Sequence, residues 1–358
     1  MYFKELKFAL NAIQWINVKE DPNDLTSASL WRFADPAFVT EYPTVLKAIR
    51  EAGFTATMLE VLDTQTLQSY MAMINDAGLT VAPGYVQVPL ASDHGGALER
   101  GSFERIHWFD AVRRKAEESN YTGLSRIFLA AEVNQAGSRW NHPAAGYEFD
   151  QDRLDELTDL IDEAVDVLNA EGVRPGLHNH VGTWIETEAE FEHVLNNIDA
   201  SRLGAAFDIG HLEWAGINSK ATLAKWGDRV QDLHLKDINL EIARQTRESG
   251  LSYERATDLG LYREPGLGDL DLPSILSALP DGFGGGSLSR SIVLQWIRWT
   301  VLGTPPAGSR TNSPAEIGDD HHVPHSRSLL TQHASVDHRL AGRLHRRARQ
   351  CRMGVRSS

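Results

Sequence analysis

The stretch that decides the fold is "RPGLHNHVGTWIETEAEFEHVLNNIDASRLGAAFDIGH", residues 174–211. A short apolar run opens it, a helix-forming stretch follows, and a second apolar run ends it. The first run finishes on His178 and His180, and the second on Asp208, with His211 just beyond. Residues two apart on a strand point to the same side, so we expect His178 and His180 to face one spot. The pattern predicts two parallel strands joined by a helix, with polar side chains at the carboxyl ends of the strands.

The same alternation of apolar runs and amphipathic helices extends through residues 1–284. The other predicted strands are "LKFALNAI", "TATMLEV", "LTVAPGYV", "SRIFLAAEV" and "VQDLHLKDI". The predicted helices are Pro43–Ala52, Leu67–Ala77, Phe103–Asn120, Arg153–Glu171 and Glu188–Asn196. Seven strands leave room for an eighth, and a (β/α)8 barrel commonly takes about 250 residues.

Polar residues gather at the carboxyl end of nearly every run, which favours a barrel over a doubly wound sheet. They are Glu60, Glu132, His178, His180, Asp208, His211, His234, Lys236 and Asp237. Active sites of (β/α)8 barrels form at that face. A dinucleotide-binding sheet would carry a glycine fingerprint after its first strand, and "NAIQWIN" has none. The sequence therefore predicts an α/β fold of the (β/α)8 TIM-barrel type.

Composition excludes several classes of partner and site. The formal net charge of −14 argues against a surface that binds nucleic acid. No apolar run approaches membrane-spanning length, and the first residues lack the pattern of a signal peptide. The single cysteine, Cys351, excludes an internal disulfide and a thiolate metal cage. We therefore expect a cytoplasmic protein without a membrane or nucleic-acid partner.

The last 74 residues have a different composition. Gly285 to Ser358 hold eleven arginines, no lysine and four acids, a formal charge of +7, which leaves −21 for residues 1–284. Periodicity fades after Leu302, so we expect a catalytic domain over residues 1–284 and a basic tail over 285–358, largely disordered after about residue 302. Within the tail, "SIVLQWIRWTVL" is apolar and β-prone enough to fill the eighth strand position.

Two strand ends carry groups that bind metals. Asp208 and His211 follow the sixth run, and alternation along the seventh puts His234 and Lys236 on one face. A carboxylate with imidazoles suits Mn, Co, Zn or Fe. The alternatives are that Asp208 only caps the next helix and that His234 is a hydrogen-bonded core histidine.

Four motifs resemble the xylose isomerase-like TIM barrels of the sugar phosphate isomerase/epimerase superfamily, over Leu6 to about Gly284. They are "HNHVGTWIET", "FDIGHLEWAG", "RVQDLHLKD" and "YREPGLGDLDLPSIL", and they look most like the inosose dehydratase branch. The resemblance implies a divalent metal held by side chains from the fifth to eighth strands. His178, where many members carry Glu, Asp208 and His234 match the first three ligands, and His211 matches a substrate contact. Because His178 is not the usual glutamate, Glu132 could instead supply that carboxylate.

The implied reaction removes a proton next to the carbonyl of a keto-sugar or inosose and passes through an enediolate. Glu132 and Lys236 are the predicted acid and base, the alternative for each being a solvated ion pair at the rim. Substrate contacts are predicted for Glu60, His180, His211, Trp15 and Trp184, although each tryptophan also suits ordinary packing. Isomerisation, epimerisation, dehydration and cleavage of a C-glycoside share this intermediate, so the sequence leaves the outcome open.

The eighth strand departs from the family's pattern, in which it supplies the last metal carboxylate. After "DLPSILSALPDGF" no acid occurs before Glu316, and Gln295 is the only oxygen donor in the strand-like run. An alternative reading frame across Gly285 to Trp299 can encode the missing glutamate, which indicates a frameshift; a genuine basic extension is the alternative. The missing acid also keeps open a non-catalytic binding protein. Two predictions for assembly remain: the catalytic subunit of a C-glycoside deglycosidase, which would need a small partner chain, and a homo-oligomer. The net negative charge of residues 1–284 argues against a nuclease.

Overall fold

Eight parallel strands form a barrel in the computed structural model, which describes residues 7–21, 24, 27, 29–95, 97–281, 283 and 291–294. They are β1 Lys7–Leu10, β2 Ala56–Met58, β3 Thr80–Ala82 with its continuation Tyr85–Val88, β4 Arg126–Ala131, β5 Arg174–His178, β6 Gly204–Ala205, β7 Leu233–Leu235 and β8 Ser291–Leu294. All seven predicted runs contribute a strand. The predicted (β/α)8 fold is confirmed.

The ring closes through β8. Its residue Val293 pairs in parallel with Ala9 of β1 and with His234 of β7. Between β6 and β7 the connection is made by the parallel bridges Ala205 to Val230 and Asp208 to His234. The run "SIVL" therefore fills the eighth strand position, as predicted. The rest of the predicted tail, residues 285–290 and 295–358, lies outside the described residues, and the domain boundary at 284 stays a prediction.

Helices lie between the strands and around them. The longer ones are Pro36–Glu51, Leu67–Asp76, Phe103–Tyr121, Gln151–Ala170, Glu188–Asn197, Ser219–Trp226 and Leu240–Ser249. The shorter ones are Ile13–Ile16, Ser138–Asn141, Ile209–Trp214, Tyr253–Asp258 and Leu272–Leu276, with a 3-10 turn at Ala91–His94. Within the described part of the chain, none of them is both long and apolar enough to cross a membrane.

The helix predicted from Pro43 in fact begins at Pro36, so that boundary was wrong. Asp35 caps it by accepting a hydrogen bond from Ala37 N at 2.9 Å. Pro36 occupies the first turn, where the backbone N–H that proline lacks would have no partner within the helix. Pro43 is tolerated inside the helix. Pro36 therefore marks the start of this helix better than Pro43 does.

The barrel interior is packed with one side chain from each of several strands. Ala9, Met58, Ala82, Phe128, Ala206 and Val293 form this inner cluster. Near the amino-terminal end, Gly176 and Gly204 make room for Gln231, since an added Cβ would lie 2.6 Å from Nε2 and 2.5 Å from Oε1 of that side chain. The filled interior leaves the carboxyl ends of the strands as the place for a site.

An antiparallel hairpin and a second antiparallel strand pair lie beyond the carboxyl ends. One pairs Asn17–Lys19 with Ser29–Trp31, and the other pairs Asp237–Ile238 with Tyr262–Arg263. Lys19 Nζ joins the first hairpin to the helix Tyr253–Asp258 through ion pairs of 3.1 Å to Glu254 and 3.2 Å to Asp258. The loops after β1 and β7 are thereby fastened to each other.

Candidate active site

Three polar side chains from successive strand ends converge at one point. His178 ends β5, Asp208 follows β6, and His234 lies in β7. Asp208 Oδ2 lies 3.9 Å from His178 Nε2 and 3.8 Å from His234 Nδ1. One ligand atom from each residue lies within 4.8 Å of the others, and all three side chains are buried. The structure thus brings together the three side chains predicted as ligands.

Local hydrogen bonds aim two of these side chains. His178 Nδ1 lies 2.9 Å from the carbonyl oxygen of Ala206, so Nδ1–H donates there and the Nε2 lone pair faces Asp208. Asp208 caps the helix Ile209–Trp214, because Oδ1 accepts from His211 N at 3.1 Å. Asp208 thus caps the helix through Oδ1, while Oδ2 faces the two imidazoles and Lys236 Nζ.

The surroundings of His234 show whether a metal ion fits between these side chains. Its side chain is 2% exposed, yet neither ring nitrogen has a hydrogen-bond partner among the described residues. Phe128 packs beside the ring with centroids 4.2 Å apart. Buried polar groups are nearly always satisfied, so an unpartnered imidazole facing a carboxylate indicates a missing partner. Two imidazoles and one carboxylate are a donor set for a divalent transition ion, and these residues fit one. The alternative of a hydrogen-bonded core histidine finds no support among the described residues.

Burial keeps the imidazoles neutral. It lowers the pKa of His178 to about 4, with Asp208 opposing and Lys236 adding to the effect. Burial also brings the pKa of His234, His211 and His180 well below the ordinary value. A neutral imidazole is the form that ligates a metal, so protons do not compete for these nitrogens at neutral pH.

Lys236 and His211 lie behind Asp208. Lys236 Nζ is 2.7 Å from Asp208 Oδ2 and 2.8 Å from His211 Nε2, so the ammonium donates to the ring nitrogen. Burial lowers the pKa of Lys236, while the charge of Asp208 opposes this shift. Neither Lys236 nor His211 is among the described residues that line the cavity above the centre. Their predicted contacts with substrate stay predictions.

A cavity of about 1040 Å³ opens above the three converging side chains. His178, His180 and His234 form part of its wall. The rings of His178 and His180 lie 6.3 Å apart, centroid to centroid, so the two histidines do face a common space. His180 Nδ1 donates to the Val181 carbonyl at 2.8 Å.

Two carboxylates also line the cavity. Glu132 Oε2 lies 2.7 Å from Nε2 of His94, which the sequence did not single out, and both side chains are more than a third exposed. This is the rim pair foreseen as the alternative for Glu132. Glu60 lines the cavity just after β2. There Tyr70 Oη donates a hydrogen bond to the Met58 carbonyl oxygen at 3.1 Å and accepts one from Glu60 N at 3.2 Å. Burial raises the pKa of the Glu60 carboxyl from 4.5 to about 7.

The two tryptophans predicted to stack on a sugar make other contacts among the described residues. Trp15 is packed against the hydrophobic core. Trp184 Nε1 donates to Asp93 Oδ2 at 2.7 Å, with the guanidinium groups of Arg139 and Arg153 lying 4.8 and 4.9 Å from its ring centre. Among the described residues, Trp31 and Trp140 line the cavity, and Trp15 and Trp184 do not. Their substrate contact stays a prediction.

Sequence reasoning missed Asn179, which holds Asp208 in place. Its Oδ1 accepts from Asp208 N at 2.9 Å, and its Nδ2 donates to Asp208 O at 3.4 Å. Alternation places Asn179 on the face opposite its histidine neighbours, so it gave no signal as a site residue.

Asp237 likewise organises the loop after β7. Its carboxylate accepts from Gly266 N at 2.8 Å and from Gly268 N at 3.0 Å. An added Cβ at Gly268 would lie 2.1 Å from Asp237 Oδ1, so this position requires glycine. The glycines of "GLGD" were the available signal.

The sequence matches the family described as xylose isomerase-like TIM barrel over residues 46–285. Curated relatives include the inosose dehydratase of Geobacillus thermodenitrificans, 30% identical over 37% of this chain and 44% of the relative. Another is the inosose dehydratase of Geobacillus kaustophilus, 27% identical over 66% of this chain and 74% of the relative. The chain thus spans less than half the length of the first and about three quarters of the second. The predicted resemblance to the inosose dehydratase branch is confirmed.

Solved structures agree on the fold. A xylose isomerase-like TIM barrel protein from Mycobacterium smegmatis in complex with magnesium has a TM-score of 0.56 at 14% identity, covering 96% of this chain and 98% of that one. An IOLI protein with a bound zinc atom has a TM-score of 0.52 at 13% identity, covering 95% and 98%. The 3-keto-D-glucoside 4-epimerase of E. coli has a TM-score of 0.53 at 15% identity, covering 82% and 93%.

Proposed function

Because the chain belongs to the xylose isomerase-like TIM-barrel family, we propose that it is a divalent-metal-dependent enzyme acting on a keto-sugar or inosose. The reaction removes the proton next to the substrate carbonyl and ends in isomerisation, epimerisation or dehydration. The observation that carries the proposal is the convergence of His178, Asp208 and His234 beneath one cavity. Inosose dehydratases among the relatives, and neighbours that hold zinc or magnesium, support it.

The metal would be held by His178 Nε2, Asp208 Oδ2 and a ring nitrogen of His234. Mn, Co, Zn or Fe suits these donors and would supply Lewis acidity for a carbonyl oxygen. The protein contributes a desolvated setting in which the imidazoles are neutral. Lys236 holds the carboxylate of Asp208 from behind, which fixes the oxygen that faces the two rings.

Glu132 is the proposed base. Its carboxylate lies on the cavity wall, and His94 Nε2 contacts Oε2, so a proton taken from substrate can pass to an imidazole that is 40% exposed. This chain of contacts ends in solvent, as turnover of a base requires. Lys236 keeps its acid–base role as part of this proposal, with its ammonium held between Asp208 Oδ2 and His211 Nε2.

Dehydration is the outcome that the cavity favours. Loss of a β-hydroxyl requires a proton donor, and a carboxyl with a pKa of about 7 keeps part of its proton at neutral pH. Glu60 offers such a group in the lining of the same cavity as Glu132. We therefore assign Glu60, predicted from sequence as a substrate contact, to protonating the leaving hydroxyl.

The test is incubation of the purified protein with an inosose and with methyl 3-keto-glucoside in D₂O, before and after chelation and with each of Mn, Co and Zn. Nuclear magnetic resonance should show metal-dependent deuterium entering beside the carbonyl, and loss of water from the inosose. Exchange that is unchanged by chelation would overturn the metal dependence. No exchange into either compound under any metal would favour a non-catalytic binding protein.

A C-glycoside deglycosidase subunit is the second candidate, favoured by a cavity larger than a single sugar ring needs. Such an enzyme requires a small partner chain. Purification from the native host would reveal that chain beside this one. A single species, whether monomer or homo-oligomer, that performs the exchange reaction alone would remove this candidate.

A further inference from the structure

The cavity has an aromatic wall that the proposed reaction does not use. Trp31 and Phe33 line it, with ring centroids 5.6 Å apart and planes inclined by only 9°. Trp31 is 39% exposed, so the ring is not sealed into the core. Stacked, accessible rings at the edge of a cavity are a platform for another flat ring.

The hairpin that carries this platform is held in place. Asn17 pairs with Trp31 across the two strands, and Arg32 N donates to the Ile16 carbonyl at 2.9 Å. Ser29 Oγ donates to Glu254 Oε1 at 3.3 Å, beside the buried Lys19 ion pairs. Because the hairpin is held by these contacts, the side chains of Trp31 and Phe33 lose little conformational entropy when a ligand stacks on them.

The cavity lining includes both apolar and amide side chains. Ile13 and Met58 lie on the lining with Trp31 and Phe33. Amide side chains from β3 and from the segment after β4 form another part, and they are Gln87, Asn134, Gln135 and Asn141. Amides suit sugar hydroxyls, and the apolar side chains suit an uncharged aromatic group. The cavity volume of about 1040 Å³ reaches the upper end of the range for drug-sized ligands, about 300–1,000 Å³.

We propose that the substrate is a keto-glycoside with an aromatic aglycone, whose sugar lies over the histidine and carboxylate groups while its aglycone stacks on Trp31 and Phe33. This inference rests on the proposed function for the reacting sugar. The platform itself is a binding site that can be tested without catalysis. It makes Trp31 a specificity-determining residue.

Binding of phenyl β-glucoside and methyl β-glucoside, which lack the ketone, should be compared by calorimetry. An added aromatic stack is worth about 0.5–1.5 kcal/mol, so we expect phenyl glucoside to bind about 2- to 12-fold more tightly than the methyl compound. Trp31→Ala should remove this preference, and Trp31→Tyr, which keeps a ring, should retain it. Leu30→Ala is the matched control, since Leu30 is exposed on the same strand and does not line the cavity among the described residues.

Equal binding of the two glucosides to the wild type would overturn the inference, as would an unchanged preference in Trp31→Ala. Melting temperatures of the variants show whether the hairpin still folds, and Trp31→Tyr keeps the test decisive if Trp31→Ala does not. A failure of the proposed function gives a different result from a failure of this inference. If only the proposed function fails, no keto compound exchanges deuterium, while the preference for phenyl glucoside and its dependence on Trp31 remain.

Discussion

Lys236 Nζ lies 2.7 Å from Asp208 Oδ2, the same oxygen that faces His178 Nε2 and His234 Nδ1. The ammonium and a divalent cation would therefore share one carboxylate oxygen in a buried setting. Like charges at this range repel strongly where water is scarce. Lys236 fixes Asp208 for binding and at the same time weakens the hold of the centre on a cation.

Replacing Lys236 with Met should keep bound metal at or above the wild-type level, because the variant lacks the repelling charge. Deuterium exchange should be lost if the ammonium serves the reaction, as proposed. Elemental analysis and exchange measured on one preparation separate the two effects. A fall in bound metal would show that the lysine supports the centre rather than opposing it.

Glu132→Gln should abolish exchange and leave metal content unchanged, because the amide cannot accept a proton and the residue pairs with His94 rather than with the three converging side chains. Glu156→Gln is the control, since Glu156 accepts from Ser92 N and does not line the cavity among the described residues. If Glu132→Gln loses bound metal, Glu132 is itself a ligand and supplies the carboxylate that many family members carry at the position of His178.

Glu60 should make the protein less stable as pH rises. Burial raises its pKa from 4.5 to about 7, so between these values the folded carboxyl keeps a proton that the unfolded one has released. The unfolded state then binds fewer protons, and the free energy of unfolding falls with increasing pH across this interval. Glu60→Gln should flatten that slope in urea titrations between about pH 5 and about pH 7, and exposed Glu99→Gln should not. A slope that survives in Glu60→Gln belongs to other groups.

Asn179→Ala should lower the free energy of unfolding by about 1–3 kcal/mol, because the buried N–H of Asp208 loses the hydrogen bond to Asn179 Oδ1. Metal affinity should fall by about 10- to 100-fold, the usual effect of losing a group that orients a ligand. Urea denaturation and metal titration measure the two effects. Loss of stability with unchanged affinity would make Asn179 a structural residue only.

The barrel could be predicted because each strand is an apolar run that ends on a polar residue. His178, Asp208 and His234 belong to three such runs, and parallel strands bring their carboxyl ends to one face. Trp15 and Trp184 show the limit of this reasoning. Proximity to a strand end gave no information on which way a loop side chain turns. Trp15 packs against the core and Trp184 donates to Asp93, and neither ring is among the described residues that line the cavity.

Other parts of the site depend on contacts between distant segments. Nothing in the sequence near Trp31 indicated a cavity wall, since its position follows from Lys19 contacting Glu254 and Asp258. Likewise, alternation placed Lys236 beside His234 but did not show that its ammonium would reach Asp208. The described part of β8 ends at Leu294 without a carboxylate, and the predicted frameshift after Gly285 stays a prediction.

Metal binding by His178, Asp208 and His234 is tested by metal titration of the wild type and of Asp208→Asn, followed by elemental analysis after dialysis. Asparagine keeps an oxygen for the helix cap, which Oδ1 provides now, and removes the charge that faces both imidazoles. Asp150→Asn, at the cap of another helix, is the matched control. We expect about one Mn, Co or Zn per chain in the wild type and the control. In Asp208→Asn the affinity should fall by more than the roughly 10- to 100-fold that losing a group which only orients a ligand costs. Equal metal binding by Asp208→Asn and the wild type would contradict this expectation.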